Sequence, residues 1–348
     1  MPVPDPVIDP AIVDLDRVAA WMDDRALGDG PIRGAELIAG GTQNVLLRFR
    51  RGDREFVLRR PPPHKRANSD ETMRREARVL GALAGTDVPH PGLIAAEPEL
   101  DVIGAAFYLM EPVDGFNATL GLPEPHASDV AMQREMGLSM ADAIGALARV
   151  DLAAAGLTDL GKPDGWGERQ VPRWRKQLDS YSELPGYPGP AIPRLDDVAA
   201  WLDEHRPADI RMGLIHGDFH FANVLIAPTE GRVAAIVDWE LATIGDPLLD
   251  LGHVLSSWPR PGRESFIPVG GASGIPSVDE LIARYDAQVD RDLSHLTWYR
   301  VLACYRLGII LEGSHARAFS GLTPLEIGDR LHEHTLQLFA QAAELIDA

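Results

Sequence analysis

The 348-residue sequence has one cysteine, few aromatic residues and far fewer basic than acidic side chains. A lone cysteine, Cys304, excludes an internal disulfide and makes a reducing, cytoplasmic setting the default. It lies in the apolar run VLACYRLGII, which marks it as core filler rather than a nucleophile. No run approaches the roughly 18 apolar residues of a membrane span. The opening MPVPDPVIDP is proline-rich and acidic, unlike a secretory signal. Lys and Arg number 33 against 52 Asp and Glu, a net charge of −19, whereas a nucleic-acid binder needs a basic footprint to displace counterions. Neither nucleic acid nor membrane is therefore an expected partner, and a small molecule is. The chain also lacks GxxxxGK[ST] and a dinucleotide fingerprint, which excludes a P-loop kinase and gives no support to flavin chemistry.

What remains is a globular composition, 45% hydrophobic and 24% charged, in a chain long enough for two lobes. Residues 12–26 read as an amphipathic helix, and ELIAGGTQNVLLRFRRGDREFVLRRPPP as two or three strands, with RGD at 51–53 a hairpin turn. A helix is expected over 69–84, its apolar face formed by Met73, Ala77, Leu80 and Leu83, with Glu76 on that same face. After the strand AAFYLM, the linker-like EPVDG places a boundary near 112, giving an N-terminal lobe of residues 1–112 and a C-terminal lobe of 113–348. Downstream, helices are expected near 129–154, 167–182, 195–205, 278–290, 294–314 and 325–346, with two short strands, NVLIA and VAAIVD, between them.

Those strands flank the densest cluster of polar chemistry, LIHGDFHFANVLIAPTEGRVAAIVDWE, residues 214–240. Asp218 and Asn223 stand five apart in a loop, and Asp238 ends the next strand. Phosphoryl transfer needs a carboxylate to take the acceptor hydroxyl's proton and oxygen ligands for magnesium, and these three residues match those roles. His-Gly-Asp, four residues, Asn, then a strand ending in Asp-Trp, followed by GDPLLDLG at 245–252, resembles the aminoglycoside phosphotransferase and choline kinase-like superfamily. The resemblance is nearest to the kinase-like domain fused to certain acyl-CoA dehydrogenases, through GGTQN at 40–44, FVLRRPP at 56–62, LARVD at 147–151 and RQVPRW at 169–174.

This resemblance implies a bilobal, protein-kinase-like α+β fold with a small β-rich N-lobe and a larger, mostly helical C-lobe. It implies Asp218 as catalytic base, Asn223 and Asp238 as magnesium ligands, and ATP, with GTP open, as phosphoryl donor. Asp246 and Asp250 would brace the loop. Gly41 and Thr42 would cover the phosphates, Glu111 and Val113 would offer backbone groups to the base, and Arg59 would stand where the family has lysine, paired with Glu76. An arginine there is a planar fork rather than a point charge, able to bind phosphate bidentately. The acceptor implied is a hydroxy acid or its CoA thioester, for which Arg169, Arg173 and Arg306 are the candidate contacts. An aminoglycoside or amino-alcohol acceptor is the alternative. From other classes, a metal hydrolase using His216, Asp218 and His220 and a non-catalytic nucleotide-binding module stay open.

Overall fold

The computed structural model describes residues 8–38, 44–259 and 267–348. The expected phosphate-covering pair, Gly41 and Thr42, lies outside them. Helix α1 (Leu15–Asp23) starts at Asp14, whose carboxylate accepts the Arg17 amide at 3.1 Å, the usual way an N-cap satisfies an orphan donor. Strands β1 (Arg33–Leu37), β2 (Val45–Arg51), β3 (Arg54–Arg60), β4 (Leu93–Glu97) and β5 (Phe107–Met110) form one antiparallel sheet in the order β1-β2-β3-β5-β4. The β2–β3 hairpin turns at Gly52, where φ is +58°.

The two-residue period of β3 decides what faces what. Phe56 and Leu58 join Leu47 and Phe49 in a fully buried cluster against Val18, Trp21 and Met22 of α1. Val57 and Arg59 point to the other face, where α2 (Ser69–Ala82) lies with Met73, Glu76, Ala77 and Leu80 buried. A carboxylate on the apolar face of a helix thus meets a guanidinium from the pleat opposite. Burying such large apolar side chains stabilises the fold by about 1.5–3 kcal/mol each, which fixes the register on which that meeting depends.

Between β5 and α3 (Val130–Ala148) the chain has no helix or strand, and Phe116 bridges to Ile226. The remainder is mostly helical: α4 (Gln170–Ser180), α5 (Leu195–Glu204), α6 (Leu248–Ser256), α7 (Val278–Asp286), α8 (Leu296–Phe319) and α9 (Leu325–Asp347). Two small antiparallel hairpins interrupt it, β6 (Gly213–Ile215) with β9 (Thr243–Gly245), and β7 (Val224–Ile226) with β8 (Val233–Ile236). This is the expected α+β arrangement, a small sheet lobe followed by a larger helical one. No described helix is long and apolar enough to cross a membrane.

Candidate active site

The loop from His216 to Asn223 is suspended between β6 and β7, and a buried carboxylate holds its start. Asp250, on α6, accepts the backbone N–H groups of His216 at 2.7 Å and Gly217 at 2.9 Å. Burial pushes the Asp250 carboxyl up in pKa, and those two amides and His216 pull against it. Asp246 is likewise buried, paired with Arg291 at 2.7 Å and with the Tyr299 hydroxyl at 2.6 Å. Both carboxylates are spent on holding the scaffold. Gly217 has φ +82°, and a Cβ there would lie 2.7 Å from the Leu241 carbonyl oxygen, so this turn admits no side chain.

His216 faces inward, fully buried, with its Nε2 at 3.0 Å from the Val237 carbonyl and its Nδ1 accepting the Asp218 amide at 3.3 Å. Both ring nitrogens are occupied, which removes His216 from the metal-ligand trio that a hydrolase would use. The second imidazole beside Asp218 is instead His253 of α6, its Nε2 3.4 Å from one carboxylate oxygen while His220 Nε2 lies 3.5 Å from the other. Asn223 Nδ2 also donates to that carboxylate, at 3.0 Å. Behind His253 stands Arg306, its Nη1 3.5 Å from His253 Nδ1 and its guanidinium over the Trp174 ring. Burial raises the Asp218 carboxyl, but the hydrogen bond from His220 and the charges of the neighbouring imidazoles and Arg306 outweigh it and hold the group well below the usual carboxylate range. Burial pushes His253 down to about 3, so at neutral pH it is a neutral ring, and Arg306 places a fixed positive charge behind it.

Asp238 follows β8 in the left-handed region, φ +65°, a conformation that a non-glycine residue keeps only where its surroundings impose it. The amide of Val237 donates to the Asn223 carbonyl at 2.9 Å, which sets Asp238 beside the loop. Arg59 reaches across the lobes to Asp238 at 2.7 Å and holds Glu76 at 2.9 Å. Tyr108, which the sequence did not single out, donates its hydroxyl to Glu76 at 2.7 Å. Burial pushes the Glu76 carboxyl up to about 7, against the pull of Arg59 and Tyr108. Glu76→Ala would leave this guanidinium buried with Asp238 as its remaining carboxylate, and breaking such a pair costs about 3–5 kcal/mol. Urea unfolding is expected to show that loss; a change under about 1 kcal/mol would mean that the contact contributes little to stability.

The other candidates separate. Glu111 and Val113 lie just beyond β5 on the segment between the lobes, and the Glu111 amide donates to Gly92 at 2.8 Å. Arg169 turns to the Lys162 carbonyl. Arg173 lines a cavity of about 610 Å³ that opens along the turn after Asp238, together with His64, Arg66, Asn68, Arg75 and Glu240. Arg75 donates to the Ala242 carbonyl across the lobes, while its buried Nε has no hydrogen-bond partner among the described residues. Arg66 and Arg75 flank or sit in α2, where a charged helix face reads as solvated, so the sequence offered no sign of a shared pocket.

Asn223 and Asp238 offer a cation hard oxygen donors: the Asn223 nitrogen is engaged by Asp218, which leaves its carbonyl oxygen, and Asp238 brings a carboxylate. That set suits magnesium better than zinc. Glu240, whose carboxyl is pushed up by burial and by Asp238, adds a further acidic group beside them.

Comparison with known proteins bears on the family and the fold. Over 322 residues the chain is 29% identical to acyl-CoA dehydrogenase family member 11 of Rattus norvegicus, covering 88% of this chain and 40% of that protein. It is 31% identical over 285 residues to a probable acyl-CoA dehydrogenase of Arabidopsis thaliana, covering 77% and 34%. The chain therefore spans about 40% or less of the length of these relatives. Among solved structures, a Ralstonia eutropha protein provisionally named an aminoglycoside phosphotransferase is 29% identical, with TM-score 0.77 and coverage of 94% of this chain and 98% of that one. A choline/ethanolamine kinase family protein of Mesorhizobium loti, 18% identical with TM-score 0.57 and coverage of 96% and 95%, shares the fold. The phosphotransferase enzyme family model matches residues 34–285, and the chain belongs to that family, as a small-molecule phosphotransferase.

Proposed function

We propose that this phosphotransferase moves the γ-phosphoryl group of ATP, or GTP, to the hydroxyl of an anionic small molecule, a hydroxy acid or its CoA thioester. Asp218 orients the acceptor hydroxyl and takes its proton as the bond to phosphorus forms. A strongly ionised aspartate suits that role, because phosphoryl transfer passes through a loose transition state in which the proton moves late. Arg59, fixed by Glu76 and Tyr108, turns its fork to the donor's phosphates, and Asn223 and Asp238 hold magnesium. Bound magnesium supplies charge neutralisation on the phosphoryl oxygens.

The observation that carries the anionic acceptor is the charge of the cleft pocket, where Arg66, Arg75 and Arg173 face one acidic residue, Glu240. A polycationic aminoglycoside would want the reverse. The net charge of −19 does not decide the question, since a field screened over about 8 Å at physiological salt yields to groups at contact. The names of the curated relatives mention acyl-CoA, which favours a thioester acceptor. Arg66→Ala and Arg173→Ala are each expected to raise the acceptor's KM about tenfold, the loss of one charge-assisted hydrogen bond, with the KM for ATP within about twofold. Steady-state kinetics in both substrates checks this, and equal rises in the two KM values would place these arginines on the nucleotide instead.

A further inference from the structure

Away from the cleft, the α8–α9 hairpin gathers a second set of donor groups. The helices run antiparallel through residues 320–324, and each carries an acid-x-x-His pair: Glu312 and His315 on α8, Asp329 and His332 on α9. Residues three apart share a helix face. The Thr335 hydroxyl donates to the Gly308 carbonyl at 3.0 Å, and Gly328 packs on Ala318, contacts that set the two pairs opposite each other.

Ligand atoms of Glu312, His315 and His332 lie within 4.8 Å of one another, and Asp329 Oδ1 is 3.5 Å from His315 Nδ1. Glu312 is fully buried, with His332 Nδ1 at 2.6 Å from one oxygen and the Tyr187 hydroxyl donating to the other at 2.6 Å. The two imidazoles stack at 4.4 Å, and the buried His315 Nδ1 has no hydrogen-bond partner among the described residues. Two imidazole nitrogens, that of His315 without a hydrogen bond, and a buried carboxylate thus converge.

We propose that Glu312, His315 and His332, with Asp329 as fourth donor, form a structural site for a zinc-type divalent cation that staples α8 to α9. Two nitrogens and two carboxylate oxygens are an ordinary zinc set. Bonds of about 2.0–2.1 Å in a tetrahedron put donors about 3.3 Å apart, and the observed spacings bracket that value, so side-chain rotation closes the site. The Tyr187 hydroxyl on Glu312 is the outer hydrogen bond that orients a ligating carboxylate. The acid-x-x-His pairs project from two facing helices, the way metal sites are built in helical bundles.

The full chain, stripped of metal with a chelator, is titrated with zinc by calorimetry and thermal melting. One equivalent is expected to bind and, at about a hundredfold excess over Kd, to raise Tm by about 3–4 °C. His315→Ala and His332→Ala are expected to abolish the response, and Asp329→Ala, at an exposed position that leaves the core intact, to weaken binding about tenfold or more. Phosphotransfer by the zinc-free Asp329→Ala protein, assayed with magnesium, is expected to match that of the zinc-free wild type under the same conditions. Asp218, His220 and His253 form another three-donor group, so Asp218→Ala serves as the opposing control. Zinc stabilisation that survives all three hairpin variants, or disappears in Asp218→Ala, overturns the proposal by placing the cation in the cleft. So does a wild-type chain whose melting ignores zinc.

Discussion

Asp218→Asn is expected to keep nucleotide affinity within about threefold while lowering phosphoryl transfer by about a hundredfold or more, the usual scale for a lost general base. The substitution preserves shape and the loop that Asp250 holds through the amides of His216 and Gly217. It removes the one group at this position that can take a proton, and also the negative charge that compensates Arg306. Calorimetry for the nucleotide and single-turnover phosphoryl transfer separate the two effects. Parallel losses of affinity and turnover would instead make Asp218 a metal ligand.

Asp238→Ala is expected to abolish the magnesium dependence of nucleotide binding. Arg59 holds one oxygen of the Asp238 carboxylate at 2.7 Å, so magnesium and Arg59 would share that carboxylate. Asp238 would hold magnesium through the same carboxylate that Arg59 engages, and the pair with Arg59 keeps two like charges, Asp238 and Glu240, from standing uncompensated. With alanine, Arg59 is held by Glu76 alone among these carboxylates and remains able to meet phosphate. Weak, metal-independent binding is therefore expected to survive. Calorimetry with ATP at several magnesium concentrations checks this; an affinity that still rises with magnesium would remove Asp238 from the metal site.

How much of this was legible in the sequence follows from how each feature is encoded. The loop chemistry is local: Asp218, Asn223 and Asp238 fall within 21 residues of one another, between apolar runs that read as strands. The pairing of Arg59 with Glu76 was legible too, because a strand period of two and a helix period near 3.6 each fix a face. Helix α6 escaped notice for a definite reason: all nine of its residues are buried, so its polar residues Asp250, His253 and Ser256 face the protein interior and no solvated stripe marks it in the sequence. With α6 went His253, and with it the part that Arg306 plays behind Asp218 rather than in an acceptor pocket. β6 and β9, at three residues each, are too short to show alternation. The basic pocket draws Arg66 and Arg75 from the sheet lobe and Arg173 from α4, a juxtaposition across the lobes that no sequence period reports.

Transfer of label from γ-labelled ATP, followed with magnesium across a panel of hydroxy acids, their CoA thioesters, aminoglycosides and choline, tests the central claim most directly. The expected result is magnesium-dependent appearance of label on anionic acceptors, lost in Asp218→Asn and slowed by Arg173→Ala at low acceptor concentration. Label confined to the aminoglycosides or choline would contradict the reading of the cleft, and ATP turnover with label on water alone would contradict an acceptor hydroxyl at Asp218.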